Sequence, residues 1–591
     1  MFVVPLDDER RWYRYHHLFA DLLRVRLSQA QPEQTSELHR LASEWYEGSG
    51  LITDAVHHAL EASDYERAAR LVEGNTLALM DHGGLSTLLE WMRALPDQIA
   101  RSRPWLCIAH AWALAYSGQV ERVEPLLERA QAGLARADRA GGTASRGDRA
   151  DENHILGHIA AIRSLCAWLV GDPARSAELA QESLDRLPEH DVTTRGFVVL
   201  RIAGGLALSG EMARGAQIAA EAMSISRATR NTHIAVKVLC ELAMLEMQRG
   251  RFRHALEVCQ EALQVAADHS KRSGGQLLAA GSAHAYMSRI LREWNDLEAA
   301  RHHASLAIEL SKQWGEAETM ADSYVHLAHA LRALGDSEGA LEALTEAREI
   351  ARGLSPWYES TMEAQEVALL LARGDTSAAG RWMEKCNLSP DDQIGYHDVI
   401  RYGILARVLL AQGRLDDAQR VAARLLDLAD KENRVSLVVH FSVLQSMVFQ
   451  SQGDQGQALA SLERALALGE SEGYVRYFIG EGAPVGELLR QAVAQGICAS
   501  YAVKLLTALE GETTDAAPAA ERFAPGLFEP LSDRELEVLR LLESDLSTRE
   551  IGDHLFISVH TVRTHVKSIY GKLDVHSRVA AVLRAKELNL I

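Results

Sequence analysis

Six basic residues, Arg563, Lys567, Lys572, Arg578, Arg584 and Lys586, stand between His554 and Lys586 against a single acid, Asp574. Guanidinium and ammonium groups at this density do two kinds of chemistry. They neutralise phosphate as fixed charges, and they donate to acceptor-rich base edges, above all guanine O6 and N7. The stretch just before, from Leu531 to Asp553, is the reverse, with Arg534, Arg540 and Arg549 against seven acids. The whole chain carries a formal charge of -19. Spread evenly, that charge would repel nucleic acid, so only a local basic surface of this kind permits contact.

Helices must position these side chains. Ser532 with Glu535, and Ser547 with Glu550, have the spacing of capping boxes, in which a Ser accepts from the backbone three residues on and the Glu reaches back. Ser558 and Ser577 supply two further caps, which predicts helices over 533–544, 548–555, 559–572 and 578–587. Only Phe556 and Ile557 precede Ser558, a connection of helix-turn-helix length. In the third helix Val562, Val566, Ile569 and Leu573 recur at spacings of four, three and four and form one apolar face. His560, Arg563, Thr564, Lys567 and Gly571 then occupy the opposite face.

The segments LSDRELEVLRLL, STREIGDHLFIS, HTVRTHVKSIYGKL and VHSRVAAVLRA together resemble the LuxR-type helix-turn-helix family over the whole of 531–591. The resemblance implies that the third helix enters the major groove of double-stranded DNA. Arg563, Thr564 and Lys567 would meet base edges, and Ser558, Thr561 and Lys572 would hold phosphates. It also implies a homodimer on DNA through Val579, Val582 and Leu583, with closure of the module's own core as the alternative role for these three. Asp545 and Asp574 stand at turns where the family commonly has Gly, and Gly571 costs the third helix about 1 kcal/mol relative to Ala.

Most of the remaining chain repeats one phrase: a Gly or other turn residue, polar residues, then Ala at the fifth position. It begins at Gly210, Gly250, Asn295, Gly335, Gly374, Gly413 and Gly453, about 40 residues apart, a solenoid period. Less regular copies begin at Gly50, Ser63, Gly118 and Gly171. Gly permits the left-handed turn that ends one helix, and Ala lets the next pack closely. The expected fold class is all-α: a TPR-like right-handed helical superhelix over 35–510, a linker over 511–530, and the four-helix module over 531–591. A Gly/Arg/Asp-rich stretch over 141–153 has little to bury and is expected to be a surface loop.

The opening FVVPLDDERRWYRYHHLFADLLRVRL resembles the end of the winged-helix segment of large ATP-dependent LuxR regulators of the MalT type, which makes 1–34 the remnant of that segment. Phosphate cradling needs a Gly-rich loop followed by Lys and Ser/Thr, and no G-x-x-x-x-G-K-[ST] occurs. No ATP and no other cofactor is therefore expected here: either the gene lost its ATPase, or the start is internal to a longer protein.

Six scattered cysteines without a C-x-x-C pair argue against structural zinc or disulfides. No run of apolar residues is long enough to span a membrane. The expected location is the cytoplasm. No nucleophile–base–acid set suggests an enzyme, and the His57-His58 and His302-His303 pairs lack metal-ligand spacing. Trp105, Trp112, Trp168, Trp294, Trp314 and Trp382 either pack between repeats, the preferred reading, or line a ring-binding groove. The expectation is a sequence-specific DNA-binding transcription regulator whose repeats take a small-molecule or protein effector. The alternative is a repeat scaffold with a vestigial DNA-binding module.

Overall fold

The computed structural model describes the chain except residues 1–2, 6–12, 16–18, 20–21, 24–25, 28–31, 82–83, 140–145, 209–210, 212–213, 216, 220–221, 224–230, 274, 396–397, 516–532, 543, 545, 549–550, 552–558, 574, 576 and 588–591. Two compact units emerge, Met1–Leu506 and Thr507–Ile591. Among the described residues regular structure is helical apart from one antiparallel ribbon, Val3–Pro5 with Tyr13–Tyr15. None of these helices is long and apolar enough to cross a membrane.

The first unit is the expected stack of helical hairpins, and its turns follow from residue type. Gly50, Gly118, Gly171, Gly250, Gly335, Gly374, Gly413 and Gly453 all have φ between +72° and +89°, with Ser63 and Asn295 taking the same left-handed role. Where an Asp comes next it caps the following helix: Asp172, Asp296, Asp336, Asp375 and Asp454 each accept from a backbone N–H three residues on. Each such cap stabilises its helix by about 1 kcal/mol. Fifth-position Ala255, Ala300, Ala340, Ala418 and Ala458 are wholly buried, so the small side chain sets the close approach of neighbouring helices. At Gly118 the next helix is delayed, because a 3₁₀ turn, Val120–Arg122, precedes Glu124–Arg139.

Helices on the two sides of a turn differ in burial. Leu415–Lys431, after Gly413, buries one stripe, Ala418, Val421, Ala422, Leu425, Leu426 and Ala429, as expected for a helix with one wet face. Val435–Gln452, before Gly453, is buried on nearly every side, Phe441, Leu444 and Ser446 included. The reason is non-local. The solenoid winds back on itself, so repeats 150 to 224 residues apart in sequence hydrogen-bond. Tyr474 donates its hydroxyl to the Gly250 carbonyl at 2.7 Å, the Ser355 hydroxyl to that of Leu169 at 2.9 Å, and the Val475 N–H to that of Glu293 at 2.8 Å.

Two local expectations are corrected. The loop expected over 141–153 is helical from Arg146 on, since the helix is Arg146–Leu169. Ala, Arg and Glu are good helix formers, and a helix nucleated by its buried half extends outward at little cost. The linker expected over 511–530 is helical at its start, because the helix Ala499–Asp515 runs through Gly511; residues 516–530 lie outside the described residues.

The second unit contains helices Asp533–Leu542, Val559–Leu573 and Arg578–Glu587, each within two residues of its expected bounds. Of the expected helix over 548–555, Thr548 and Ile551 are described and helical. Val538, Leu539, Leu542, Ile551, Val562, Ile569, Leu573, Ala581 and Ala585 form one core. Ser577 caps the last helix, its hydroxyl accepting from the Ala580 N–H at 3.2 Å.

Candidate functional site

The helix Val559–Leu573 is held by the face read from its spacing: Val562 and Ile569 are wholly buried, Leu573 nearly so, and Val566 packs against the same core. Lys567 is exposed. Arg563, Thr564 and Thr561 lie in this helix with their side chains outside the described residues, as does Ser558 entirely. Lys572 is half-buried, its ammonium 3.0 Å from Glu535, whose other oxygen accepts from the Ser568 hydroxyl at 2.6 Å. Glu535, read from sequence as a capping residue, thus ties the first helix to the third. Val582 packs on the core and Leu583 is 58% exposed, while the Val579 side chain lies outside the described residues.

Arg578, counted in the basic half by sequence, points inward. It donates to the carbonyls of Leu542 at 2.9 Å, Leu546 at 2.7 Å and Ser544 at 2.5 Å. Those carbonyls lie at and just beyond the end of the first helix, where acceptors have no intrahelical partner, so the guanidinium serves as a side-chain cap. Its charge is committed to the fold.

In the first unit a cleft opens where the coil's turns meet, lined by Tyr116, Phe197, Arg201, Lys237, Trp314 and Glu318 among others. Lys237 lies 4.3 Å from the Trp314 ring centroid and pairs with Glu316 at 2.9 Å. Arg201 lies 4.5 Å from the Trp168 centroid and 5.4 Å from that of Phe197. Trp168 donates to Glu318 at 3.0 Å. Burial pushes the nearby Glu241 carboxyl up to about 7 against the attraction of Arg201, and burial likewise pushes Asp322 up to about 7 although Tyr358 donates to it. Sequence reading missed Arg201, Lys237 and Glu241. Their signal was available as isolated charges inside mostly apolar helices, Val192–Leu208 and Thr232–Gln248. The tryptophans divide: Trp112 and Trp382 pack in the core, whereas Trp314 is buried and also lines the cleft.

One set among the described residues has metal-ligand spacing, His154, His158 and Asp191, also missed although two of them are four apart on one helix. Both imidazole Nε2 atoms lie 3.0 Å from one Asp191 oxygen. The Trp112 indole N–H, which can only donate, points at His158 Nδ1 at 3.1 Å. Nδ1 must therefore carry the lone pair and Nε2 the proton, whereas metal binding through Nε2 needs the opposite tautomer. The set does not fit a metal and is satisfied as a buried network. Burial opposes ionisation of Asp191, but hydrogen bonds from His154, His158 and the Thr194 N–H hold its carboxyl far below the usual range.

The model of the MalT-like TPR region matches residues 157–495, more than half of the chain. The chain belongs to this family. On either side of that MalT-like region, the MalT winged helix domain matches residues 1–35, around the ribbon, and the bacterial regulatory proteins of the luxR family match 529–585. HTH-type transcriptional regulator MalT of Serratia proteamaculans (strain 568) is 24% identical over 613 residues, covering 100% of this chain and 65% of that protein. Its counterpart from Yersinia pestis (strain Pestoides F) is 24% identical over 612 residues with the same coverage. The chain thus spans 65% of the length of these relatives. Among solved structures, the APC/C hetero-tetramer Cut9-Hcn1 is similar at a TM-score of 0.42 and 14% identity, covering 83% of this chain and 96% of that one.

Proposed function

We propose that the chain is a sequence-specific DNA-binding transcription regulator whose MalT-like repeat unit takes an effector. The observation that carries this reading is the helix Val559–Leu573, fixed by its apolar face while Lys567 is left exposed, within a segment matching the luxR family. Arg563, Thr564 and Lys567 are assigned to base edges, Ser558, Thr561 and Lys572 to phosphates. An ammonium has three donors, so the pairing of Lys572 with Glu535 does not by itself exclude a phosphate contact. Of the two dimer candidates whose side chains are described, Leu583 is the better placed, because Val582 is taken up by the core.

Genomic fragments retained by the purified protein at near-physiological salt test this. A shared motif, enriched by the unaltered chain and lost in Lys567→Ala, is the expected result. Lys572→Ala should weaken binding to all sequences alike and reduce the salt slope by about one phosphate contact. No enrichment, or enrichment indifferent to Lys567→Ala, would overturn the reading.

A further inference from the structure

We propose that the cleft between the coil's turns binds a small organic acid, its carboxylate against Arg201 and its planar or apolar body between the rings of Tyr116, Phe197 and Trp314. This rests on the effector reading above and gives that effector a chemical class.

Arg201 is the starting point. Its Nε and Nη1 are buried and have no hydrogen-bond partner, and the Trp314 Nε1 is in the same condition. Three unsatisfied donor atoms on two residues lining one cleft call for an acceptor that the protein does not itself supply. The surrounding acids are otherwise committed: Glu316 holds Lys237 through both oxygens at 2.9 and 3.2 Å, and Glu318 accepts from Trp168. Glu241, which feels the Arg201 charge, makes no bond to it through Oε1, which is itself buried and unpartnered. Burial pushes its pKa up to about 7, which leaves it only partly ionised near neutrality, so it does not fully offset the guanidinium.

The walls select the rest of the ligand. Tyr116 and Trp314 lie nearly parallel, 28° apart with centroids 6.3 Å apart, and Phe197 stands at 63° to Tyr116. Leu85, Leu165, Leu200 and Ile234 complete a mostly apolar lining with a few charged groups, the character of small-molecule sites. A cationic ligand is disfavoured, because Lys237 and Arg201 already lie over the faces of Trp314, Trp168 and Phe197. A neutral one could accept only uncharged hydrogen bonds and would leave the charge of Arg201 unanswered.

The location also gives binding a consequence. The cleft combines Thr193, Phe197 and Lys237 with Trp314, Glu316 and Glu318, beside the Trp168–Glu318 bond that joins segments 150 residues apart. An acid seated there touches both sides of that junction and clamps it.

Benzoate, phenylacetate and hexanoate, each paired with its neutral amide, are titrated into the full chain, following tryptophan fluorescence and melting temperature. At least one acid is expected to saturate the signal and raise the melting temperature, with its amide at least about tenfold weaker. Arg201→Met should abolish that preference. Trp314→Phe, which keeps an aromatic wall but deletes the Nε1 donor with the pyrrole ring that carries it, should weaken the acid several-fold even if Arg201→Met fails to fold. Absence of saturable binding by any of the acids, equal binding of acid and amide, or unchanged affinity in Trp314→Phe would overturn the proposal. All readouts are taken without DNA. A chain that binds acids but enriches no DNA sinks the regulator reading alone, and the converse sinks this inference alone.

Discussion

At Gly118, Gly171 and Gly250 the repeat turns press against helices from a distant part of the coil, whereas Gly335, Gly374, Gly413 and Gly453 have nothing within 4 Å of where a Cβ would stand. A Cβ on Gly118 would lie 2.8 Å from the Leu354 side chain, and one on Gly250 would lie 2.9 Å from Val435. Both groups carry the same sequence phrase and the same left-handed backbone. The phrase encodes a hairpin turn, and it carries no mark of which turns will later be pressed between coils. That second role comes from the superhelical pitch, which brings residues such as Gly250 and Tyr474 together.

Substitutions at the two kinds of turn should separate the roles. Gly250→Ala combines backbone strain with a clash against Val435, and is expected to cost the first unit about 3 kcal/mol in denaturant unfolding. A loss no larger than at an open turn would break the comparison.

Next in size is a pH effect inside the same coil. The Glu241 carboxyl is raised from 4.5 to about 7 in the folded chain, so folding favours its protonated form. That stability is fully present below the unfolded value and is lost as pH rises through about 7. Glu241→Gln, neutral throughout, should therefore gain on the unaltered chain by about 2 kcal/mol between pH 5 and pH 8. A pH-independent difference between the two chains would show that burial does not hold Glu241 protonated.

Arg578→Ala should destabilise the second unit by about 2 kcal/mol by leaving helix-end carbonyls without their donor. Hydrogen exchange over 533–542 and 559–573 reads it out: faster exchange there, with the repeats unchanged, is expected. Unaltered protection would mean that water replaces the guanidinium without loss. The smallest effect belongs to Gly413→Ala, about 1 kcal/mol from the left-handed backbone alone, measured beside Gly250→Ala.

The two units also differ in how far local pattern reaches. In the second, the core face of Val559–Leu573 was legible because a four-three-four spacing admits one buried side of a helix. Arg578 was misassigned there because composition counts a charge without saying whether it meets solvent or a helix end. In the repeats, the glycine phrase announced the described turns and the fifth-position Ala their close contacts, Gly210 itself lying outside the described residues. Arg201, Lys237 and Glu316 converge from distant helices, so no window along the chain contains the cleft they line.

The sequence by itself determined the local rules: turns where only small or polar residues tolerate positive φ, helices opened by Asp and Ser caps, and one basic helix in an acidic chain. These depend on neighbours within a few residues, where side-chain type fixes the outcome. Only the tertiary structure decided which turns are clamped, which charges are spent on the fold, and which buried donors are left unanswered. Those depend on groups brought together from as much as 224 residues apart, by the accumulated rotation of one repeat on the next.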